Sequence, residues 1–251
     1  MKEEEESNRK MEEKEVVNLF VAHLAEHGYP VLKVDSRPDE VERNQCDIDA
    51  IAGNFAIEHT SIDTIPDQRR NSDWFMKAAG LLEEELRGKL DYRLSVTLPY
   101  DGIQPGVDWN KIKVALRDWV LDKSTFLPKG SHLISDCPNI PFDFRASKRP
   151  AGHPGLLLFR SAPEDQTLPD RLRKLLCRKA KKLIRYKADG KMTIILLESN
   201  DIALMDEAIM WENLRAAFQN GLPPSVDKIW FVDTSIPENV IFFEMTEAIN
   251  R

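Results

Sequence analysis

The chain has 251 residues, 42% hydrophobic and 31% charged, which is long and apolar enough for a sizeable core in one large domain or two small ones. A formal net charge of −7 excludes an indiscriminately basic nucleic-acid binder while leaving a local basic face open, and no window approaches the roughly 18 consecutive apolar residues of a membrane span. Cys46, Cys137 and Cys177 are widely spaced and form no CxxC pair, so they read as free thiols of a reducing compartment; the charged MKEEEESNRKMEEK start lacks the apolar stretch of a signal peptide, and the expected location is cytoplasmic.

Residues 1–14 read as an acidic, flexible lead-in. Val16, Val17, Phe20 and Leu24 recur at helical steps, and Gly28 with Pro30 beyond it is a helix stop. Val31 to Val34 reads as a strand and the polar stretch Asp35 to Asn44, with Pro38, as a loop. Two runs, Cys46 to Ala52 and Phe55 to Ile62, are separated only by Gly53-Asn54, a hairpin signal compatible with a type II′ turn. A long helix is expected from Ser72 to Lys89, a strand from Tyr92 to Leu98 and a helix from Trp109 to Asp122.

Strands are then expected at His132 to Ser135, Phe142 to Ala146 and Gly155 to Arg160. A helix from Leu168 to Tyr186 leads into the apolar strand Met192 to Leu197, and a helix from Asp206 to Phe218 leads into the strands Lys228 to Val232 and Val240 to Phe243. Alternating strands and helices point to an α/β fold with a mixed central sheet flanked by helices. With no repeat and no low-complexity linker, residues 15–251 read as one composite domain, a core over about 15–125 and an α/β extension over about 126–251.

With Gly53 and Asn54 at the turn, opposed hairpin residues have numbers summing to 107, so Asp49 faces Glu58 and Asp47 faces Thr60. Alternation puts all four on one face, roughly 4.5 to 5.5 Å apart pairwise. Carboxylates that close need a shared proton or a cation, and a hard divalent ion such as Mg²⁺ or Mn²⁺ suits an all-oxygen set. Ile48, Ala50, Phe55 and Ile57 would form the core face, leaving the acidic face open and His59 as a hydrogen-bonded core or edge residue. A solvated acidic face and a paired-carboxylate glycosidase are the alternatives.

A helix, a strand, DIDAIA, a turn and FAIEHT, followed by a helix and a strand, resembles the PD-(D/E)XK nuclease superfamily, the restriction-endonuclease-like fold. The resemblance covers about residues 15–100 in topology and Asp47 to Thr60 in motif. It implies phosphodiester hydrolysis in nucleic acid, DNA before RNA, with Asp49 and Glu58 as Mg²⁺ (or Mn²⁺) ligands, Asp47 beside them, and a homodimer if both strands of a duplex are cut. The family's lysine position holds Thr60, which has no positive charge. Lys33, Gln68, Arg69 and Arg70 are candidates for the missing role, and Glu13 or Glu15 for the glutamate that the first helix often adds. A module of the same fold that binds nucleic acid or a protein without cutting is the alternative.

Residues 171–187, RLRKLLCRKAKKLIRYK, carry nine basic residues and no acid. Leu168, Leu172, Leu175, Leu176, Leu183 and Ile184 form the apolar stripe, so Arg171, Lys174, Arg178, Lys181, Lys182 and Arg185, with Arg69 and Arg70, are candidate contacts to a phosphate backbone; a solvated helix or a protein-facing surface is the alternative. Lys148 and Arg149, near a Pro- and Gly-rich loop, could extend that surface, with a plain surface loop as the alternative. Glu198, Asp201 and Asp233 follow strands where α/β sheets often place ligands, with capping and solvation as their simpler role. The five tryptophans read as packing residues, and no P-loop, GxGxxG, HExxH or GxSxG is present.

Overall fold

The computed structural model describes residues 11–29, 31–41, 47–104, 106–150, 153–161, 165–201 and 204–250. In chain order the elements are α1 (Glu13–Glu26), α2 (Pro38–Val41), β1 (Ala50–Ala52), β2 (Phe55–Ser61), α3 (Gln68–Phe75), α4 (Leu82–Glu85), β3 (Arg93–Pro99), α5 (Trp109–Asp118), β4 (Gly130–Ile134), β5 (Phe144–Arg149), β6 (Gly155–Ser161), α6 (Leu168–Ala188), β7 (Met192–Ser199), α7 (Glu207–Ala217), β8 (Lys228–Asp233), β9 (Ile241–Glu244) and α8 (Thr246–Asn250). They make an α/β protein with two mixed sheets. No described helix is long and apolar enough to cross a membrane.

The chain divides into two compact units, one built from residues 1–64 and 166–251 and the other from 65–165. That division differs from a core ending near residue 125: the second unit interrupts the first between β2 and α6. Nothing local marks the interruption, because β2 pairs in parallel with β7, more than 130 residues later, with Glu58 opposite Ile195 and Thr60 opposite Leu197.

In the first unit the sheet order is β1-β2-β7-β8-β9, with β2, β7 and β8 parallel and antiparallel strands at both edges. Both faces are covered. On one lies α1, whose Val16, Val17, Phe20 and Leu24 pack with Ala50, Phe55, Ile57, Ile194 and Leu196. On the other lie α6 and α7, whose Leu172, Leu176, Leu183 and Met210 pack with Ile48, Ala56, Ile195 and Leu197. A parallel sheet buried on both sides needs continuous apolar strands, and Met192 to Leu197 supplies one.

The second unit has a four-stranded sheet ordered β4-β5-β3-β6, with β3 and β6 parallel and the other pairs antiparallel. Leu94, Val96, Leu98, Phe144, Ala146 and Leu156 face its core together with Ala78, Leu82, Ile112 and Leu116 from the helical segments. Asp108 caps α5 by accepting from the amides of Asn110 and Lys111. The tryptophans serve packing, as with Trp119, edge-on to Phe144 at 4.9 Å, and Trp230, edge-on to Phe20 at 5.3 Å.

Several local expectations change. Val31 to Val34 is not a strand; Val31 has φ +68°, and only a Ser36–Ile51 bridge extends the sheet there. The loop after it contains α2, started by Pro38, whose fixed φ suits a first helical turn. The helix expected at 72–89 starts earlier and breaks into α3, a π turn at Met76–Gly80 and α4. Lys148 and Arg149 lie on β5, not in a loop. Cys46 and Pro30 lie outside the described residues; Cys137 and Cys177 are free thiols.

Candidate metal centre

The hairpin register is as expected over β1, with Ala50 opposite Ile57 and Ala52 opposite Phe55, but the ladder does not reach the expected Asp49–Glu58 and Asp47–Thr60 pairs. Gly53 has φ +54° and Asn54 does not share that sign, consistent with the type II′ turn. What changes is burial. β2 is an inner strand, so the acidic set is not an open face: Glu58 is 0% exposed, Asp47 and Asp49 each 6% and Thr60 8%. Regular alternation also stops before Ala50, since Ile48 packs toward α6 while Ala50 packs toward α1.

This break redirects Asp49. Its carboxylate, with those of Glu13 at the start of α1 and Asp39 on α2, forms a cluster whose oxygens lie within 4.8 Å of one another. Asp49 Oδ2 also accepts from the His59 amide at 2.5 Å. Burial first, then the charges of Glu58 and Glu13, push the Asp49 carboxyl up to about 8. Glu13 moves the opposite way, to about 2, held down chiefly by its contact with His59. Glu15, the other candidate on α1, instead accepts from the Glu12 amide at 2.9 Å in a capping box.

Glu58 faces α6. Its Oε1 accepts from Lys179 Nζ at 2.5 Å and Lys182 Nζ at 2.8 Å, and Lys179 also donates to the His59 carbonyl at 3.0 Å. Among the described residues its Oε2 has no hydrogen-bond partner, nor does the buried Asp39 Oδ1. Asp39 Oδ1, beside an Asp49 carboxyl that holds its proton abnormally tightly, is suited to a hard cation, whereas Glu58, expected as a metal ligand, lies outside this cluster and is compensated by the two lysines. Lys179, Thr60, Ser61, Glu12, Glu13, His59 and Glu198 line a cavity of about 480 Å³ that meets the cluster at Glu13 and is not lined by Asp39, Asp49 or Glu58.

Behind the cluster, His59 is 4% exposed. Its Nε2 lies 3.1 Å from Glu198 Oε2 and its Nδ1 3.6 Å from Glu13 Oε2, while Thr234 Oγ1 donates to Glu198 Oε1 at 2.8 Å. Burial works to lower the imidazole, but Glu13 and Glu198 more than offset it and raise it to about 9. Glu198 is therefore a buried ion-pair partner on β7, not a solvated or capping residue. Asp201 and Asp233 do cap turns, accepting from Leu204 and Ser235 amides at 3.1 and 2.9 Å.

Asp47 is drawn away from the cluster. It accepts from the Ile48 amide at 2.8 Å and Tyr186 Oη at 2.9 Å and pairs with Arg185, so its role is to anchor the hairpin to α6. Lys33 is exposed and has no partner among the described residues. Gln68, Arg69 and Arg70 open α3 in the second unit, where Arg70 pairs with Asp67 at 2.7 Å and covers Trp74. The cation that reaches Glu58 most closely is Lys179, missed because residue spacing alone does not tell which basic residue of the long helix turns inward.

The cations of α6 separate into two sets. Arg171 donates to the Asp63 and Thr64 carbonyls, Lys182 also to the Asp47 carbonyl, and Arg173 to the Ala216 and Ala217 carbonyls. Lys174, Arg178 and Lys181 are exposed and unpaired among the described residues, and their spacing puts them on one stripe opposite the buried Leu172, Leu176, Leu183 and Tyr186. Ile184, expected in the apolar stripe, is instead 58% exposed. Comparison with protein-family models, with curated proteins and with solved structures finds no match to this chain, so its family is not shown and its site rests on its own geometry.

Proposed function

We propose that the chain is a divalent-metal-dependent nuclease of the restriction-endonuclease-like class, hydrolysing phosphodiester bonds in nucleic acid. The observation that carries this reading is the junction of two features: carboxylates of Glu13, Asp39 and Asp49 within 4.8 Å, and Lys179 beside Glu58 where Thr60 leaves the motif without a cation. The path from α1 through the hairpin to a crossover helix and a parallel strand supports the same class, with the second unit as an insertion.

Glu13, Asp39 and Asp49 would hold Mg²⁺ or Mn²⁺, which would supply Lewis-acid activation of water and neutralise phosphate charge. Lys179 holds Glu58 in place and presents a fixed positive charge at the cavity, the part an electrostatic stabiliser of the phosphorane-like charge must play. Thr60 and Ser61 line the same cavity and can orient a water or a phosphate oxygen by hydrogen bonds. Asp47, Arg185 and Tyr186 fix the hairpin against α6, so that Lys179 and Glu58 meet. The outward stripe Lys174, Arg178 and Lys181 would hold the nucleic-acid backbone.

The test is a Mg²⁺ and Mn²⁺ titration on labelled single- and double-stranded DNA and RNA, with wild type, Asp49→Ala and Lys179→Met. Metal-dependent cleavage by wild type and its loss in both variants is the expected result; equal cleavage by all three overturns the assignment. One observation favours a second reading, a non-cutting module of the same fold: Lys179 and Lys182 already compensate Glu58 without metal. That reading predicts salt-sensitive binding in EDTA and no cleavage in any metal.

A further inference from the structure

We propose that the open face of the sheet in the second unit is a separate binding platform for single-stranded nucleic acid. The sheet has one covered face and one uncovered one. Strand register places the uncovered side chains in rows: Arg149 and Arg93; Ser131, Ser147, Ser95 and Leu157; Leu133, Arg145, Thr97 and Phe159. The intervening residues point to the core or, like Lys148 and Arg160, bond to the helical segments through the Ser124 carbonyl and Ser72.

The chemistry of this face is selective. It carries three arginines and no acid, in a protein whose net charge is −7. Arg93, Arg145 and Arg149 are exposed and make no ion pair among the described residues. An unneutralised positive surface on an acidic protein is complementary to a polyanion. Between the arginines stand hydroxyls of Ser95, Thr97, Ser131 and Ser147, which donate to phosphate oxygens. Phe159 is 49% exposed and Leu133 61%, so the row through Arg145 ends in apolar surface on both sides.

An exposed aromatic ring on a flat sheet offers a stacking surface to a base, and guanidinium groups both stack on bases and pair with phosphates. Stacking needs an unpaired base, which is why a single strand fits and a closed duplex does not. Four strands span about 14 Å, the scale of a few nucleotides. An acidic polypeptide would satisfy the arginines but would leave Phe159 without a stacking partner.

The experiment uses the full chain in EDTA, so that metal-centre chemistry plays no part and its failure cannot be mistaken for failure here. Binding of fluorescent mixed-sequence single-stranded DNA and RNA is measured against salt. Replacing Arg93, Arg145 and Arg149 together by Gln is expected to weaken binding about tenfold or more and to reduce the salt slope by about two. Replacing the same three by Lys should keep that slope and so separates charge from folding. Phe159→Ala should weaken binding roughly fivefold or more at every salt concentration with the slope unchanged. Wild-type affinity and slope in the Gln variant overturns the proposal. So does full competition by poly-glutamate, or equal binding of duplex with Phe159→Ala silent.

Discussion

The two sheets of this protein solve the same packing problem with opposite consequences for their polar residues. In the first, helices cover both faces, so any charge carried by an inner strand is buried and must find a partner: Glu58 takes two lysines and His59 two carboxylates, while Asp49, buried just before the edge strand β1, retains a proton. In the second, only one face is covered, and Arg93, Arg145 and Arg149 stay exposed without ion-pair partners among the described residues. Burial on both sides concentrates reactive chemistry by shifting pKa values and fixing geometry; burial on one side leaves a surface that can recognise but has no reason to perturb its groups.

The largest effect should come from removing the carboxylate that the buried environment perturbs most. Asp49→Ala is expected to take metal-dependent cleavage to background, with far-UV circular dichroism unchanged. Lys179→Met should lower cleavage by about a hundredfold or more, the scale of losing one preorganised electrostatic contact, with a smaller effect on substrate affinity. A Lys179→Met enzyme with wild-type kcat would remove the reason for assigning it the role absent at Thr60.

Stability sharpens the same contrast. Glu58→Gln leaves Lys179 and Lys182 facing each other without their counter-charge. Both lysines are partly exposed, so the expected loss is about 2 kcal/mol, below that of a fully buried pair, measured by urea unfolding. Arg145→Gln on the open sheet should change stability by less than about 0.5 kcal/mol.

The pH dependence follows from Asp49 and His59. Asp49 rises from 3.8 to about 8 on folding and His59 from 6.5 to about 9, so over these intervals the folded protein holds protons that the unfolded chain has released. Stability of the metal-free protein therefore falls as pH rises from about 4 to about 9. Glu13, lowered from 4.5 to about 2, works the other way, and its interval lies almost wholly below that window. Added Mg²⁺ or Mn²⁺ should flatten the fall by replacing the Asp49 proton; a thermal-unfolding series with and without metal tests both statements.

The smallest of these effects separates the two sets of α6 cations. Neutralising Lys174, Arg178 and Lys181 should weaken binding of duplex DNA and lower the salt slope by about 0.9 per charge, with stability unchanged, because none of the three holds the fold. Neutralising Lys182 would confuse the two, since it also ties Glu58 and the Asp47 carbonyl to the helix.

Much of this protein is determined by short-range pattern. Helical spacing of Val16, Val17, Phe20 and Leu24, the apolar run Met192 to Leu197, and Gly53-Asn54 between two strand-forming runs each specify an element, because periodicity and turn stereochemistry act over a few residues. The pairing of Ala50 with Ile57 and of Ala52 with Phe55 follows from that turn alone. What only the tertiary structure decided is which partners those residues meet. β2 becomes an inner strand because β7 pairs with it from far along the chain, and this buries the acidic set that the hairpin by itself would leave open. Asp39 arrives on a single turn too short to announce itself, Glu198 through strand pairing, and Lys179 through the rotation of α6 that its leucines impose when they pack on the sheet. Local forces set where each carboxylate sits on its element; long-range packing set the dielectric and the counter-charges around it, and those are what give the centre its chemistry.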